Sequence, residues 1–431
     1  MIGSFRKKSL LAASAVIAAS ALALTAIPAQ ASSVGVTKTS IKLGITVPLT
    51  GPASPGYAKV APAMKAYFEY VNANGGVNGR KINLIIKDDK YLPQEAVNRT
   101  NELILRDKVF AIVGALGTAN NLAVNSKVRL GARGVPTLFV NTGFSGFANK
   151  RKFPTLFPLF PSYAMEAKVM GTYIKENFAG KKLGLIVQND DFGQDALKGF
   201  ATAGVKFDET IKYVSGTQSA TTATTWIQKL AAARVEVVYL FGVSTATAAA
   251  LAVAAQAGYR PQWILGSVGG DATTIRTATA VPVAVLNGAL GASFMPDAAD
   301  TADEYVKFFR EINDEYNKGV DFDNNVLAGM NGGMMVAQAL KAAGPKPTRK
   351  KLIAAIENSG ASFASAGLAP LAFSRTSRVG YTGYWIGKYN ATGAIIPVEA
   401  KNVIYTTDSG NGPVVKGTSK RPALPTKGLP E

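Results

Sequence analysis

Two pairs of adjacent carboxylates, Asp88-Asp89 and Asp190-Asp191, are of a type and spacing that could do chemistry. Paired acids can act as general acid and general base on one substrate bond. Each pair closes a run of residues that reads as a strand, 82–86 and 182–188. Neighbouring side chains at a strand end point to opposite sides. The two members of a pair therefore do not meet over one bond, and charged loop ends are the simpler reading. The chain has no Cys and no His. That excludes Cys/His zinc sites, Ser-His-Asp triads and thiolate nucleophiles. Neither a Gly-x-Ser-x-Gly elbow nor a Gly-x-x-x-x-Gly-Lys-Ser/Thr phosphate loop occurs, and Gly114-Ala115-Leu116-Gly117 is only a fragment of a nucleotide loop. The expectation is a protein that is not an enzyme and uses neither metal nor cofactor.

The elements that would position polar groups are clearest between residues 41 and 118. A strand at 41–47 leads into a small-residue loop, 48–57, and an amphipathic helix that ends in the Gly/Asn-rich stretch 72–80. A second strand, 82–86, runs into Lys87-Asp88-Asp89, and a further helix and strand reach 112–118. This is βαβαβ with polar loops at the strand ends, where small ligands sit in open α/β sheets. Strand and helix patterns keep alternating afterwards. Strands are expected at 136–141, 182–188, 211–214, 235–241 and 263–266. Helices are expected at 162–178, 220–233, 244–258, 302–316, 326–343 and 348–358. Segments 153–161 and 286–293 read as extended crossings, and a hairpin is expected from 371–373 to 384–389. Residues beyond 408 are rich in Gly, Pro and Lys and read as a loose tail. Two βα series, each interrupted and later completed, describe lobes joined by hinge segments with a ligand between them.

Residues 1–31 read as an export signal: Arg6, Lys7 and Lys8, an apolar stretch at 10–26, and Ala29-Gln30-Ala31 as cleavage site. The apolar run is Ala/Ser-rich and near the lower length limit for a membrane span, which disfavours an anchor. Cutting there leaves 431 − 31 = 400 residues, enough for two lobes. Without Cys there is no lipid-bearing N-terminal cysteine, so a freely diffusing protein is expected. The net charge of +19 becomes +16 once Arg6, Lys7 and Lys8 are removed. The basic residues are scattered apart from Lys150-Arg151-Lys152 and Arg349-Lys350-Lys351, and they are not interleaved with aromatics as in nucleic-acid binders. A solvated surface facing an anionic envelope is expected, with no nucleic-acid partner.

The stretches Ile45-Thr46-Val47-Pro48-Leu49-Thr50-Gly51-Pro52, Val71-Asn72-Ala73-Asn74-Gly75-Gly76-Val77-Asn78-Gly79-Arg80 and Lys87-Asp88-Asp89 have a familiar order and spacing. Phe110-Ala111-Ile112-Val113-Gly114, Gln188-Asn189-Asp190-Asp191-Phe192-Gly193 and Gln338-Ala339-Leu340-Lys341-Ala342-Ala343-Gly344 continue it. Together they resemble the periplasmic leucine/isoleucine/valine-binding proteins, the solute receptors of branched-chain amino-acid-type ABC importers. The resemblance covers residues 38–405. It implies an α/β type I periplasmic-binding fold: two Rossmann-like lobes joined by three hinge crossovers, near 158–161, 290–293 and 376–378. Residues 32–160 with 294–375 would form the N-terminal lobe, 161–293 with 376–407 the C-terminal lobe, and 408–431 the tail. It also implies an exported monomer in a periplasm or equivalent space, and a membrane permease as partner. An exported sensor with the same lobes is the alternative.

In that family one lobe holds the ligand carboxylate. The matching positions here are Thr118, Ala119, Gly143 and Ser145. Amides at a loop or helix start suit a carboxylate without a counter-ion. Thr118 stands where a helix begins and can also be its cap; Ser145 can also be an ordinary loop hydroxyl. The resemblance adds Tyr57 from the first loop and Tyr163, Phe192 and Ser244 from the second lobe. Phe144 and Met330 are apolar walls or core. The family's amino-acid binders place an acid opposite the ligand ammonium, and the aligned residue here is Val268. Either Asp271, Asp191 or Glu166 takes over, or the ligand is a carboxylate without an α-ammonium; the second is favoured.

Overall fold

The computed structural model describes residues 33–278 and 282–430. The expected leader, 1–31, lies outside them. The first strand, Ser40–Val47 (β1), is buried on both faces, as a parallel strand covered by helices must be. Leu43, Ile45 and Val47 join the core beneath helix Val60–Ala73, while Gly44 meets Leu103 on the other side. β1 pairs in parallel with Lys81–Asp88 (β2) and Ala111–Val113 (β3). Thr137–Val140 (β4) and Leu156–Pro158 (β5) extend the sheet in the order β2-β1-β3-β4-β5. Helix Asn324–Ala342 returns to this lobe and lies against Val60–Ala73. The two approach so closely that a Cβ on Gly329 would stand 2.2 Å from the Val60 carbonyl oxygen.

The second sheet is built from Leu183–Gln188 (β6), Glu209–Tyr213 (β7), Val237–Phe241 (β8), Gln262–Leu265 (β9) and Leu290–Ser293 (β10), all parallel. Trp385–Tyr389 (β11) and Ile395–Pro397 (β12) add antiparallel strands at one edge. Three of its helices start at side-chain caps the sequence supplies. Ser162, Asp190 and Ser219 each accept hydrogen bonds from first-turn amides. The chain thus has the α/β two-lobed, parallel-sheet architecture expected. Among the described residues no helix is long and apolar enough to cross a membrane.

Several local expectations change. Residues 153–161 are not one extended crossing: β5 closes the first sheet as an edge strand, where Pro158 is tolerated. Likewise 286–293 contains an interior strand, β10. An aromatic cluster joins the first crossing to residues just past the expected second and third crossings, 290–293 and 376–378: Phe294 is 4.8 Å from Phe160, 5.2 Å from Tyr381 and 6.0 Å from Tyr384 between ring centroids. The hairpin partner of β11 is β12; Leu371 makes only an isolated bridge to Tyr381.

The tail is not loose. Val403–Thr406 (β13) pairs with Val415–Thr418 (β14). Lys168 of the second lobe donates to the Gly412 carbonyl. Tyr67 and Tyr70 of the first lobe donate to the carbonyls of Gly428 and Lys427, each at 2.7 Å. Arg421 pairs with the buried Asp303 at 2.7 Å and donates to the Ala366 carbonyl at 2.8 Å. Composition suggested a free end, but buried phenols and a carboxylate supply anchors far away in sequence. Arg421→Ala should lower unfolding free energy by about 1.5–3 kcal/mol, the range for hydrogen bonds to a charged group. It should also speed tryptic cleavage after Lys427, as urea titration and limited proteolysis would read.

Candidate functional site

The carboxyl ends of both sheets face one cleft. The first lobe contributes Tyr57, Tyr91, Leu116, Gly117, Thr118 and Asn141, with Asn325 and Ala328 from the returning helix. The second contributes Tyr163, Phe192, Val243 and Val268, and Phe160 comes from the first crossing. They surround a cavity of about 50 Å³, room for a few waters. The lobes touch across it. The Tyr57 hydroxyl donates to the Val268 carbonyl at 3.0 Å, and the Thr274 hydroxyl oxygen lies 3.2 Å from the Pro55 carbonyl oxygen. Ser145 bridges to Asp195, its N–H at 2.8 Å. This is a closed form.

The floor on the first-lobe side is the start of helix Thr118–Lys127. Its cap position is Gly117, which offers no side chain, so the first-turn amides have no side-chain cap there. Thr118 itself is therefore not the cap. Its hydroxyl lies 2.6 Å from that of Thr142. Partial positive charge collects at such a helix start.

The two acid pairs hold loops. Asp88 accepts from the N–H groups of Leu49 and Lys90, both at 2.9 Å. Asp89 turns the other way, accepting from the Tyr91 N–H at 2.9 Å and from Asn120 at 3.1 Å. Together they fix Lys90 and Tyr91 in the left-handed region, φ +54° and +60°, and so set Tyr91 into the cleft. Burial pushes the Asp89 carboxyl up to about 6. Asp190 caps helix Asp191–Thr202 through the N–H groups of Phe192 and Gly193, while Asp191 is exposed. Neither pair shares a substrate position. Burial also raises the Tyr57 phenol to about 12, so it stays a neutral donor. Among the described residues no charged one lines the cavity.

Of the residues singled out from sequence, Tyr57, Thr118, Tyr163, Phe192 and Val268 come together on this wall. Ser244 stands behind it, donating to the Val268 carbonyl at 3.2 Å. The others are placed elsewhere. Ala119 lies beyond the lining, although it belongs to the same first helical turn. Gly143 is packed under the first crossing, its carbonyl accepting from the Tyr163 N–H at 2.7 Å. Phe144 stacks edge-on against Phe147, Ser145 is engaged by Asp195, and Met330 is core. Tyr91, Asn141, Phe160 and Asn325 were not anticipated. Tyr91 had a signal, since it follows Asp88-Asp89 in a strand-end loop; Asn325 had none, because tertiary folding alone brings its helix to the cleft. Of the three acids weighed for an ammonium, Asp191 is exposed. Glu166 is buried beneath Ser267, which donates its N–H and hydroxyl at 2.7 and 2.6 Å. Asp271 lies in an adjoining chamber.

Two parallel-sheet lobes closing on a small cavity at their strand ends define a hinge-type binding protein. Residues 40–394 match the family described as periplasmic binding protein, and the chain belongs to that family. It is a binding protein, not an enzyme, and the family places its work outside the cytoplasm. The chain is 28% identical over 203 residues to the Leu/Ile/Val-binding protein homolog 3 of Brucella melitensis. That match covers 47% of this chain and 54% of the relative, so it spans about half the relative's length. Among solved structures, a branched chain amino acid ABC transporter protein from Thermus thermophilus with bound valine superposes with TM-score 0.76 at 20% identity, covering 87% of this chain and 98% of that one. A solute binding protein from R. palustris in complex with benzoate gives TM-score 0.71 at 19% identity, covering 87% and 97%. At these identities the likeness is one of fold.

Proposed function

We propose that the chain is the solute-binding receptor of an ABC importer and captures a small carboxylate that carries no α-ammonium group. The observation that carries this reading is the cavity wall, which has a helix start at Thr118 and, among the described residues, no charged one. A carboxylate there meets first-turn amides and hydroxyls. An ammonium would be buried without a carboxylate, which costs several kcal/mol. Phe160, Tyr163, Phe192 and Val268 form an apolar wall suited to an aromatic or branched-acyl body. The valine and benzoate held by the two structural relatives are bodies of these kinds.

The lobes part at the three crossings, and ligand bridging them shifts the population to the closed form. A membrane permease then reads the closed outer surface, and the receptor does no chemistry itself. With no Cys to carry lipid, it acts as a freely diffusing monomer. A thermal-shift screen of aromatic and branched-acyl carboxylates against amino acids tests the reading, because a binder raises Tm by mass action. Tight, stereospecific binding of leucine or valine in calorimetry would overturn it. Thr118→Val should weaken carboxylate binding about tenfold, or roughly 1.5 kcal/mol for one hydrogen bond to a charged group. An unchanged Kd would put the carboxylate elsewhere.

A further inference from the structure

A second chamber, of about 110 Å³, opens behind the cleft cavity. The two share Tyr57, Phe160, Val268, Asn325 and Ala328 as walls. The partition is therefore made of side chains, and the Tyr57–Val268 hydrogen bond between the lobes is part of it. Unlike the cleft cavity, this chamber is acidic, with Asp271 and Asp297 in its lining.

The two acids differ in what they have left to offer. Asp297 has both oxygens engaged: Oδ1 accepts from the Ala299 N–H at 2.8 Å, and Oδ2 from the Ile395 N–H at 3.2 Å and Asn324 at 3.4 Å. Asp271 is 7% exposed, and among the described residues only Thr274 donates to it, by its N–H and its hydroxyl, both to Oδ2. Asn325 stands at the junction of the chambers. It is 9% exposed, and its Nδ2 has no hydrogen-bond partner among the described residues. A buried amide donor left unmatched costs about 1–3 kcal/mol, so such a group in a binding cavity points to a missing acceptor. The two side chains are neighbours. The Asn325 Nδ2 and the Asp271 Oδ2 lie 2.9 and 3.2 Å from where a Cβ on Gly56 would sit, and Gly56 precedes Tyr57 in the first loop.

A single group satisfies an unmatched N–H donor and a carboxylate acceptor side by side: a hydroxyl, which accepts once and donates once. We propose that the ligand is an elongated hydroxy-carboxylate whose carboxylate rests on the Thr118 helix start. Its far hydroxyl passes the Tyr57–Val268 partition to accept from Asn325 and donate to Asp271. This rests on the carboxylate reading above and adds the identity of the other end. An α-amino acid, with its two charges on one carbon, spans neither distance nor partition.

The test is calorimetry of the full chain with matched pairs: benzoate and 4-hydroxybenzoate, 3-phenylpropanoate and its 4-hydroxy derivative, hexanoate and 6-hydroxyhexanoate. The expected result is that at least one hydroxylated member binds tenfold or more tighter than its parent. Asp271→Asn, outside the cleft cavity, should bring that ratio toward one while still binding the parent acid, which certifies its fold; Asn325→Ala should also bring the ratio toward one, its fold certified by an unchanged urea midpoint. Parent acids that bind as well as their hydroxylated partners would overturn the inference and leave the carboxylate reading standing. If no carboxylate in the panel binds, both fall. A hydroxyl preference that survives in both variants would also overturn it.

Discussion

Gly143→Ala should cost the protein about 2–4 kcal/mol and most of its ligand affinity, although Gly143 touches no part of the cavity. A Cβ at this position would stand 2.4 Å from the Pro161 carbonyl oxygen and 2.9 Å from the Tyr163 ring. The first neighbour is backbone and cannot swing aside. That carbonyl also accepts from the Tyr384 hydroxyl at 2.9 Å, which ties the first crossing to the segment that leads from the third into β11. Moving Pro161 therefore strains both segments together. The Tyr163 ring is held on its other sides by Phe192 at 4.8 Å and Phe241 at 5.5 Å, so its easiest escape is into the cleft. Overpacking of a filled site typically costs 1–3 kcal/mol, and loss of a buried hydrogen bond adds to it. Urea titration reads the first effect and calorimetry the second. A variant with wild-type midpoint and Kd would mean the crossing yields freely, and the hinge would be elsewhere.

The same residue illustrates what could and could not be read from the chain. Runs such as Val237–Phe241 announce buried parallel strands by their apolar β-branched and aromatic content, and capping residues such as Ser162 and Asp190 mark where helices begin. Order of elements, the two lobes and the strand-end location of the cleft follow from such local signals. Side-chain destinations that depend on the other lobe do not. Ser145 looked available to a ligand because its partner, Asp195, lies 50 residues away on a helix whose approach no local pattern encodes. Gly143 reads as a loop glycine until Pro161 is seen above it. Asn325 reaches the cleft only because its helix returns to the first lobe. The tail misled for the same reason. Its composition is that of a free end, while its anchors, Tyr67, Tyr70 and Asp303, sit more than a hundred residues upstream.

Glu166→Gln should remove a pH dependence of stability on the order of 3 kcal/mol between pH 5 and 8. Glu166 is wholly buried, and burial pushes its carboxyl up to about 7 against hydrogen bonds from Ser267 and Tyr239 that pull it down. The unfolded chain titrates this group near the ordinary value, about 4.3. Between those two values the folded state holds a proton that the unfolded state has released. Stability is therefore highest on the acid side of the window and falls as pH rises through 7. Asp89, raised to about 6, acts with the same sign in a lower window. Glutamine mimics the protonated acid: its carbonyl can accept from the Ser267 N–H, and its amide can donate to the Ser267 hydroxyl oxygen. Urea midpoints for the wild type should drop between pH 5 and 8, and the variant's should drop far less. Parallel curves would show that Glu166 stays charged throughout. The consequence reaches binding as well, because Ser267 precedes Val268 and its N–H is fixed by this carboxyl. The carboxyl's charge state therefore bears on the loop that carries one wall of the cleft and accepts the Tyr57 hydroxyl.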